Sequence, residues 1–160
     1  MNVFIRYYLD LSLPFEDVLD ALLADPEVWL PGVALGAEDR GEQLLGEVGF
    51  SIDDDRRLSK EVHVELQPPY RMPGKTLLPL SWKATGPERL FPSLDADVEI
   101  AALGRSRTQL SISARSRPPL GVVGKALDRV LLHRVAEATI KDFMDRVGEG
   151  IGDRVSGASV

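Results

Sequence analysis

From Leu44 to Arg115 the apolar residues fall on alternate positions in one stretch after another, and this period of two constrains the fold more than any other feature of the sequence. In a first such stretch Leu44, Val48, Phe50 and Ile52 share a face with Gly46, opposite Glu47 and Ser51. Asp53-Asp54-Asp55 then reads as a hairpin turn. The next stretch puts Leu58, Val62, Val64 and Leu66 on one face and Glu61, His63, Glu65 and Gln67 on the other. Leu78, Leu80, Trp82 and Ala84 follow against Ser81, Lys83 and Thr85. Leu94, Ala96, Val98, Ile100 and Ala102 oppose Asp95, Asp97 and Glu99. Thr108, Leu110, Ile112 and Ala114 oppose Arg107, Gln109, Ser111, Ser113 and Arg115, after a turn at Gly104. Consecutive strands with one oily and one polar face describe an antiparallel meander, buried on one side and wet on the other. On the wet face Asp97 and Glu99 are expected across the last hairpin from Arg105 and Arg107, as devices of solubility and register.

Before the meander the pattern is mixed. Asn2 to Leu9 is rich in Val, Phe, Ile and Tyr and stops at Asp10 to Pro14, which reads as a first strand. A short helix follows: Ser12 and Pro14 stand at its start, Glu16 and Asp17 fill its first turn, and Phe15, Val18, Leu19, Leu22 and Leu23 recur at helical spacing up to Asp25-Pro26. A short turn of helix or loop then carries Val28, Trp29 and Leu30 to Pro31-Gly32, with Trp29 plugging one end of the sheet. Pro68 to Gly74 and Gly86 to Ser93 read as loops, and Tyr70 in the former is placed at a cavity rim.

Past Pro118-Pro119 a long helix is expected from Gly121 to about Ile151. Leu132, Ala136, Ile140, Phe143, Met144, Val147 and Ile151 form one continuous stripe, which must be buried. A second stripe of Val123, Leu127, Val130, Leu131 and Val135 lies nearly opposite in the first half. Two readings follow. Either Leu127, Val130 and Leu131 face the sheet and leave Arg129 and His133 solvated, or the C-terminal stripe is inside throughout. In the second case Arg129 and His133 point at the mouth of a cavity, and the Leu127/Val130/Leu131 stripe is a homodimer surface.

Charge and composition exclude several functions. A net charge of -6 argues against a nucleic-acid partner, which needs clustered Lys and Arg. The chain has no cysteine and 2 histidines, which leaves no thiolate chemistry and too few imidazoles for a His-based metal cluster. No cofactor is expected; Gly121 and Gly124 followed by Lys125 lack the spacing and the Ser or Thr of a phosphate loop. No apolar run reaches the roughly 18 residues of a membrane span, and the first residues lack the pattern of a signal peptide, so a cytoplasmic location is the expectation. The 160 residues, 44% of them apolar, suit a single domain over residues 1–152, with 153–160 as a disordered tail.

The order of elements, together with Leu13-Pro14, Asp17-Val18, Leu22 to Asp25, and Trp29 with Pro31-Gly32, resembles the START-like (SRPBCC) superfamily of polyketide cyclases and birch-pollen-type allergens. The resemblance implies an α+β helix-grip fold: two short helices after the first strand, and a curved antiparallel sheet of about six to seven strands around the C-terminal helix. It implies a hydrophobic cavity between them and carries over no catalytic residue.

The lining follows from the residues themselves. Val62, Val64, Leu66, Leu80, Trp82, Val98, Ile100, Thr108, Leu110 and Ile112 come from the sheet, with Tyr70 at the rim; Arg129, His133, Ala136 and Ile140 come from the helix. Trp82 and Thr108 are the only side chains on the oily strand faces with a polar atom, and His63 falls on the wet face by parity. Such a lining supplies no acid or base, so the first expectation is binding of a small hydrophobic or aromatic molecule, such as a lipid or polyketide, without catalysis. Two alternatives remain open. One is a cyclase, aromatase or dehydratase in which Arg129, His133, Tyr70 or Arg6 polarises a carbonyl. The other is a packed-core structural or partner-binding domain.

Overall fold

The structure is a computed structural model that describes residues 2–47, 61–84, 93–117 and 129–158. The alternating segments form strands β1 (Val3–Leu11), β2 (Val62–Leu66), β3 (Tyr70–Met72), β4 (Lys75–Ala84), β5 (Ser93–Ala102) and β6 (Thr108–Arg117). They build one antiparallel sheet in the order β1-β6-β5-β4-β2, with β3 pairing β4 beside β2. The alternation fixes the register: Trp82 on β4 lies between Val64 of β2 and Leu94 of β5, and Ile100 on β5 lies between Thr76 and Leu110. A slip of one residue would turn every one of these side chains to the opposite face. On β1 the inner face carries Val3, Ile5, Tyr7 and Leu9, which leaves Phe4, Arg6 and Tyr8 exposed outside.

Two details of the sheet differ from the sequence reading. Tyr70-Arg71-Met72 is a strand and not part of a loop, because Pro73-Gly74 makes a two-residue turn and Met72 pairs with Lys75. Gly74 has φ 70, the conformation that position requires of a type II turn and that glycine adopts without strain. Between β5 and β6 the turn is longer than one centred on Gly104. Ala102 pairs Thr108, so Asp97 faces Ser113 and Glu99 faces Ser111. Arg105 and Arg107 therefore do not lie across from those acids; Arg107 pairs Asp10 at 2.9 Å, and Glu99 is held by Lys75 at 2.6 Å.

The helices cover the inner face. The first, α1 (Phe15–Leu23), buries Val18, Leu19, Ala21 and Leu22; its N-cap is Pro14, and Ser12 makes no capping bond. Asp25, at φ 49, turns the chain into the next helix, and Pro26 sits at the start, where a missing N–H costs nothing. The sequence reading stops that helix at Pro31 and starts a strand at Leu44. The structure runs one 22-residue helix, α2 (Pro26–Glu47), straight through both. The rest of the expected strand, the Asp53–Asp55 turn and Leu58 lie outside the described residues.

The long C-terminal helix is α3 (Arg129–Ala158), 30 residues, and it continues past the expected end at Ile151 and through most of the expected tail. Leu132, Val135, Ala136, Thr139, Ile140, Phe143, Met144, Val147 and Ile151 are its buried stripe. Each large apolar side chain of that stripe contributes about 1.5 to 3 kcal/mol of burial. The C-terminal stripe therefore defines the inside from Leu132 onward, while Val130 is 68% exposed and Leu131 half-buried. Leu127 lies outside the described residues.

Alongside α3, α2 runs antiparallel in close contact. Trp29 packs on Gly150, Gly36 on Arg146, and Gly41 on Thr139 and Val135. The missing side chains are what permit the approach: a Cβ at Gly41 would overlap the Thr139 hydroxyl. Near the far end of the pair the Arg154 guanidinium lies 4.6 Å above the Trp29 ring, so Trp29 packs between the two helices.

Candidate functional site

The middle of the sheet–helix interior is built around Trp82. Its parity on β4 turns the indole inward, where it is 1% exposed, and its ring meets Phe143 of α3 at 4.8 Å between centroids and 54° between planes. This tilted arrangement is one that aromatic pairs prefer. A buried indole N–H costs free energy unless it finds an acceptor. It donates to Oε1 of Glu38 at 2.7 Å, in a bond buried at both ends.

Glu38 comes from the centre of the inner stripe of α2, where Leu30, Ala34, Ala37, Gly41 and Leu45 are its buried neighbours, and it is 7% exposed. A carboxylate is seldom buried without hydrogen bonds or a counter-charge. The bond from Trp82 gives one of its oxygens a buried donor. Phe143 and the neighbouring strands pin the indole, so the donor fixes the direction in which the carboxylate points. One turn further on, Glu42 is half-buried with its Oε2 out of contact with solvent.

The other buried polar side chains differ from Glu38 in one respect that matters chemically. The Thr108 hydroxyl donates to the Leu13 carbonyl at 2.8 Å, and the Thr139 hydroxyl donates to the Val135 carbonyl at 2.9 Å. Both are committed to the backbone. The hydroxyl of Thr76, on the inner face of β4 beyond Leu78, is buried without a hydrogen-bond partner among the described residues. Among these groups only the carboxyl can serve as an acid or a base, since alcohols and the indole N–H do not ionise in the usual pH range.

The sequence-predicted lining divides into two sets. Val62, Leu80, Trp82, Val98, Ile100, Thr108, Leu110, Ile112, Ala136 and Ile140 are buried in the interior, with Val64 and Leu66 half-buried against it. Tyr70, Arg129 and His133 are not part of it. Tyr70 faces Leu77 on the outer side of the sheet and is 65% exposed, because its register on β3 gives it the parity of the wet face. Arg129 and His133 are exposed on the first turns of α3, and His133 pairs with Glu137 at 3.6 Å. With Asn2, Val3, Phe4 and Leu132 they border a surface hollow of about 310 Å³. Arg6 is on the outer face, in a shallow trough of about 390 Å³ with Arg115, Asp95 and Asp97.

None of the four side chains expected to polarise a carbonyl is among the buried residues of the interior: Arg6 and Tyr70 lie on the outer face of the sheet, and Arg129 and His133 border the surface hollow. The carboxylate the sequence reading did not find is Glu38. Its signal was the spacing Leu30, Ala34, Ala37, Gly41, Leu45, which is helical but made largely of residues too small to register as an apolar stripe.

Among the described residues no group of three or more His, Asp or Glu is placed to hold a metal ion, and no helix is long and apolar enough to cross a membrane. No protein-family model matches the chain, and no curated protein matches it. Solved structures do. A conserved protein from Geobacillus kaustophilus aligns over 96% of this chain and 96% of its own, with 16% identity and a TM-score of 0.55. The Zhui aromatase/cyclase from Streptomyces sp. R1128 aligns over 97% and 96%, with 14% identity and a TM-score of 0.41. The human StarD13 lipid transfer and protein localization domain aligns over 92% and 76%, with 10% identity and a TM-score of 0.42. The architecture is a helix-grip fold, an antiparallel sheet covered on its inner face by a long C-terminal helix.

Proposed function

We propose that this protein binds a small apolar or aromatic molecule between the inner face of its sheet and α3. The observation that carries the reading is the chemistry of that interior. Side chains of β4, β5 and β6 present Leu80, Trp82, Val98, Ile100, Leu110 and Ile112 to the apolar stripe of α3, and the polar groups among them are few. A lining of this composition favours a ligand by desolvation of its apolar surface and orients it through isolated polar contacts. Val62, Val64, Leu66, Thr108, Ala136 and Ile140 complete the proposed lining.

Thermal unfolding followed in the presence of a panel of alkyl, aromatic and polycyclic compounds, with native mass spectrometry to count bound molecules, tests this reading. A ligand at one hundred times its Kd stabilises the folded state by about 2.7 kcal/mol. For a chain of this length that is a rise of roughly 5 to 11 °C in Tm. A panel in which no compound raises Tm or appears as a bound mass sinks the reading.

A second reading, cyclase or dehydratase chemistry on a polyketide-like carbonyl substrate, draws support from Glu38 alone. A buried carboxylate is the type of group that removes a proton from carbon and returns it to oxygen during a ring closure. Ring closure leaves the mass of the substrate unchanged and a following dehydration removes one water, so product masses separate the two. Turnover that Glu38→Gln leaves intact rules out this role.

A further inference from the structure

We propose that the interior takes a ligand that carries an oxygen acceptor, a ketone or ester carbonyl, on an apolar frame, and that the hydroxyl of Thr76 donates to it. The inference rests on the reading that the interior takes a ligand, and it names the polar contact that orients one.

Thr76, Thr108 and Thr139 are the buried threonines among the described residues. A hydroxyl carries one donor hydrogen, and burying it without an acceptor costs free energy. Thr108 donates to the Leu13 carbonyl at 2.8 Å and Thr139 to the Val135 carbonyl at 2.9 Å, so the backbone satisfies both. Thr76 is 1% exposed, and its hydroxyl has no partner among the described residues. The Trp29 indole nitrogen is also without one, but it belongs to the contact between α2 and α3 under Arg154 and not to the inner face of the sheet.

The position of Thr76 suits a contact with a ligand. It shares the inner face of β4 with Leu78, Leu80 and Trp82, and it stands beside Ile100 of β5, which in turn stands beside Leu110 of β6, all of them buried. On the other side the register pairs it with Arg71 of β3, which is exposed. The covered part of the face therefore ends between β4 and β3 at this level, and Thr76 holds its last buried position. Trp82 lies about 20 Å farther along β4 at roughly 3.4 Å per residue, so this contact is separate from the bond to Glu38. A ligand whose frame lies on Leu78, Ile100 and Leu110 brings a carbonyl at its β3 end to the hydroxyl.

Two compounds of one shape, 2-acetylnaphthalene and 2-isopropenylnaphthalene, differ in whether a carbonyl oxygen or a methylene group occupies the same place. Their affinities for the parent protein, Thr76→Val and Thr76→Ser, measured by isothermal calorimetry, test the proposal. Thr76→Val keeps the shape of the side chain and removes its donor. It should weaken the ketone at least about five-fold, the scale of one buried acceptor left unpaired, and leave the hydrocarbon within about two-fold. Thr76→Ser restores the donor and should keep the ratio of the two affinities within about two-fold of the parent's.

Equal loss of both compounds in Thr76→Val, or loss of neither, overturns this inference and leaves the ligand-binding reading standing. If neither compound binds the parent protein the inference falls, and the reading falls with it only when the whole panel of compounds fails. A thermal melt without ligand gives a second readout. Removing an unpartnered hydroxyl should raise the Tm of Thr76→Val by at least about 2 °C. A variant that melts at or below the parent's Tm, or fails to fold by circular dichroism, means that the hydroxyl is already satisfied in the empty protein, as by a resident water, and overturns the proposal.

Discussion

The contact between α2 and α3 at Gly41 gives a stability prediction whose sign the structure decides. Replacing a helical glycine by alanine stabilises an unhindered site by about 1 kcal/mol through helix propensity. Gly32, in the same helix, is such a site, with nothing within 4 Å of the added Cβ, so Gly32→Ala should raise stability by that amount. At Gly41 the Cβ would overlap the Thr139 hydroxyl, and Val135 Cγ1 would lie 3.5 Å away. Thr139 cannot simply rotate aside, since its hydroxyl is bonded to the Val135 carbonyl at 2.9 Å. Overpacking of this kind costs about 1 to 3 kcal/mol and the lost hydrogen bond about 1 more, so after the propensity gain Gly41→Ala should destabilise by about 1 to 3 kcal/mol. At the length of this chain that lowers Tm by roughly 2 to 12 °C, while Gly32→Ala raises it by roughly 2 to 4 °C. Urea unfolding followed by circular dichroism measures both, and an unchanged m-value certifies that compactness is unaltered. Adding Thr139→Ala to Gly41→Ala should recover at least about 1 kcal/mol as a favourable coupling energy. If Gly41→Ala stabilises as Gly32→Ala does, the two helices are not in contact at this point and the packing described between them is wrong.

Two pH dependences follow from an ion pair and a side-chain hydrogen bond. The hydrogen bond from Lys75 holds the Glu99 carboxyl below its usual 4.5, with the Lys75 charge and the Ser111 hydroxyl helping against partial burial. A depressed carboxylate gives stability that is present above 4.5 and lost as pH falls through the folded value. Lys75→Met should therefore cost a few tenths of a kcal/mol at pH 7, as expected of an exposed pair, and the gap to the parent protein should shrink on acidification; a gap that does not shrink as pH falls below 4.5 contradicts the assignment. Burial pushes the Tyr7 phenol above 10.0, and the hydrogen bond and charge of Asp145 push it further, against the lowering effect of Lys141. The folded state then holds the phenol's proton more tightly than the unfolded chain does, so that contribution is full below 10.0 and is lost as pH rises beyond it. Tyr7→Phe should cost about 1 kcal/mol at neutral pH for the bond to Asp145 and should flatten the alkaline limb; unfolding curves at pH 8 and above 10 that stay parallel refute it.

The meander was legible because each of its strands is half-buried. Alternation in Leu94 to Ala102 and Thr108 to Ala114 states which side faces the core, and the structure buries Leu94, Val98, Ile100, Leu110 and Ile112 as read. The fold class followed from that alternation and from the long stripe of α3. Turn lengths were less legible. Nothing in Leu103 to Arg107 announces that the hairpin closes between Ala102 and Thr108, and the cross-strand acid and arginine pairs were misplaced in consequence. On the first strand Phe4 and Tyr8 are aromatic and yet outside, with Phe4 carrying Arg115 at 5.8 Å over its ring. Aromatic content alone does not say which face of an edge strand is buried.

The second helix was misread for a reason tied to what it does. A helix that packs closely on another needs small residues where the two meet, and Ala34, Ala37 and Gly41 lower the apolar contrast that reveals a helix in sequence. Pro31 and the nearby glycines look like terminators, yet the helix carries Pro31 in its second turn at the cost of one backbone hydrogen bond. Glu38 then breaks the pattern outright, being a charged residue at a position that geometry makes core. Conflicts of this kind between local pattern and tertiary position tend to mark functional sites, because a buried carboxylate lowers stability unless something compensates for it. Here Trp82 supplies a buried donor, Phe143 holds Trp82, and the glycines of α2 let the helix sit close to α3. The small residues that hide α2 in the sequence are therefore part of what places a carboxylate beside Trp82. A search restricted to the alternating strands finds an inert lining, since the group that gives it chemical character enters from the helix.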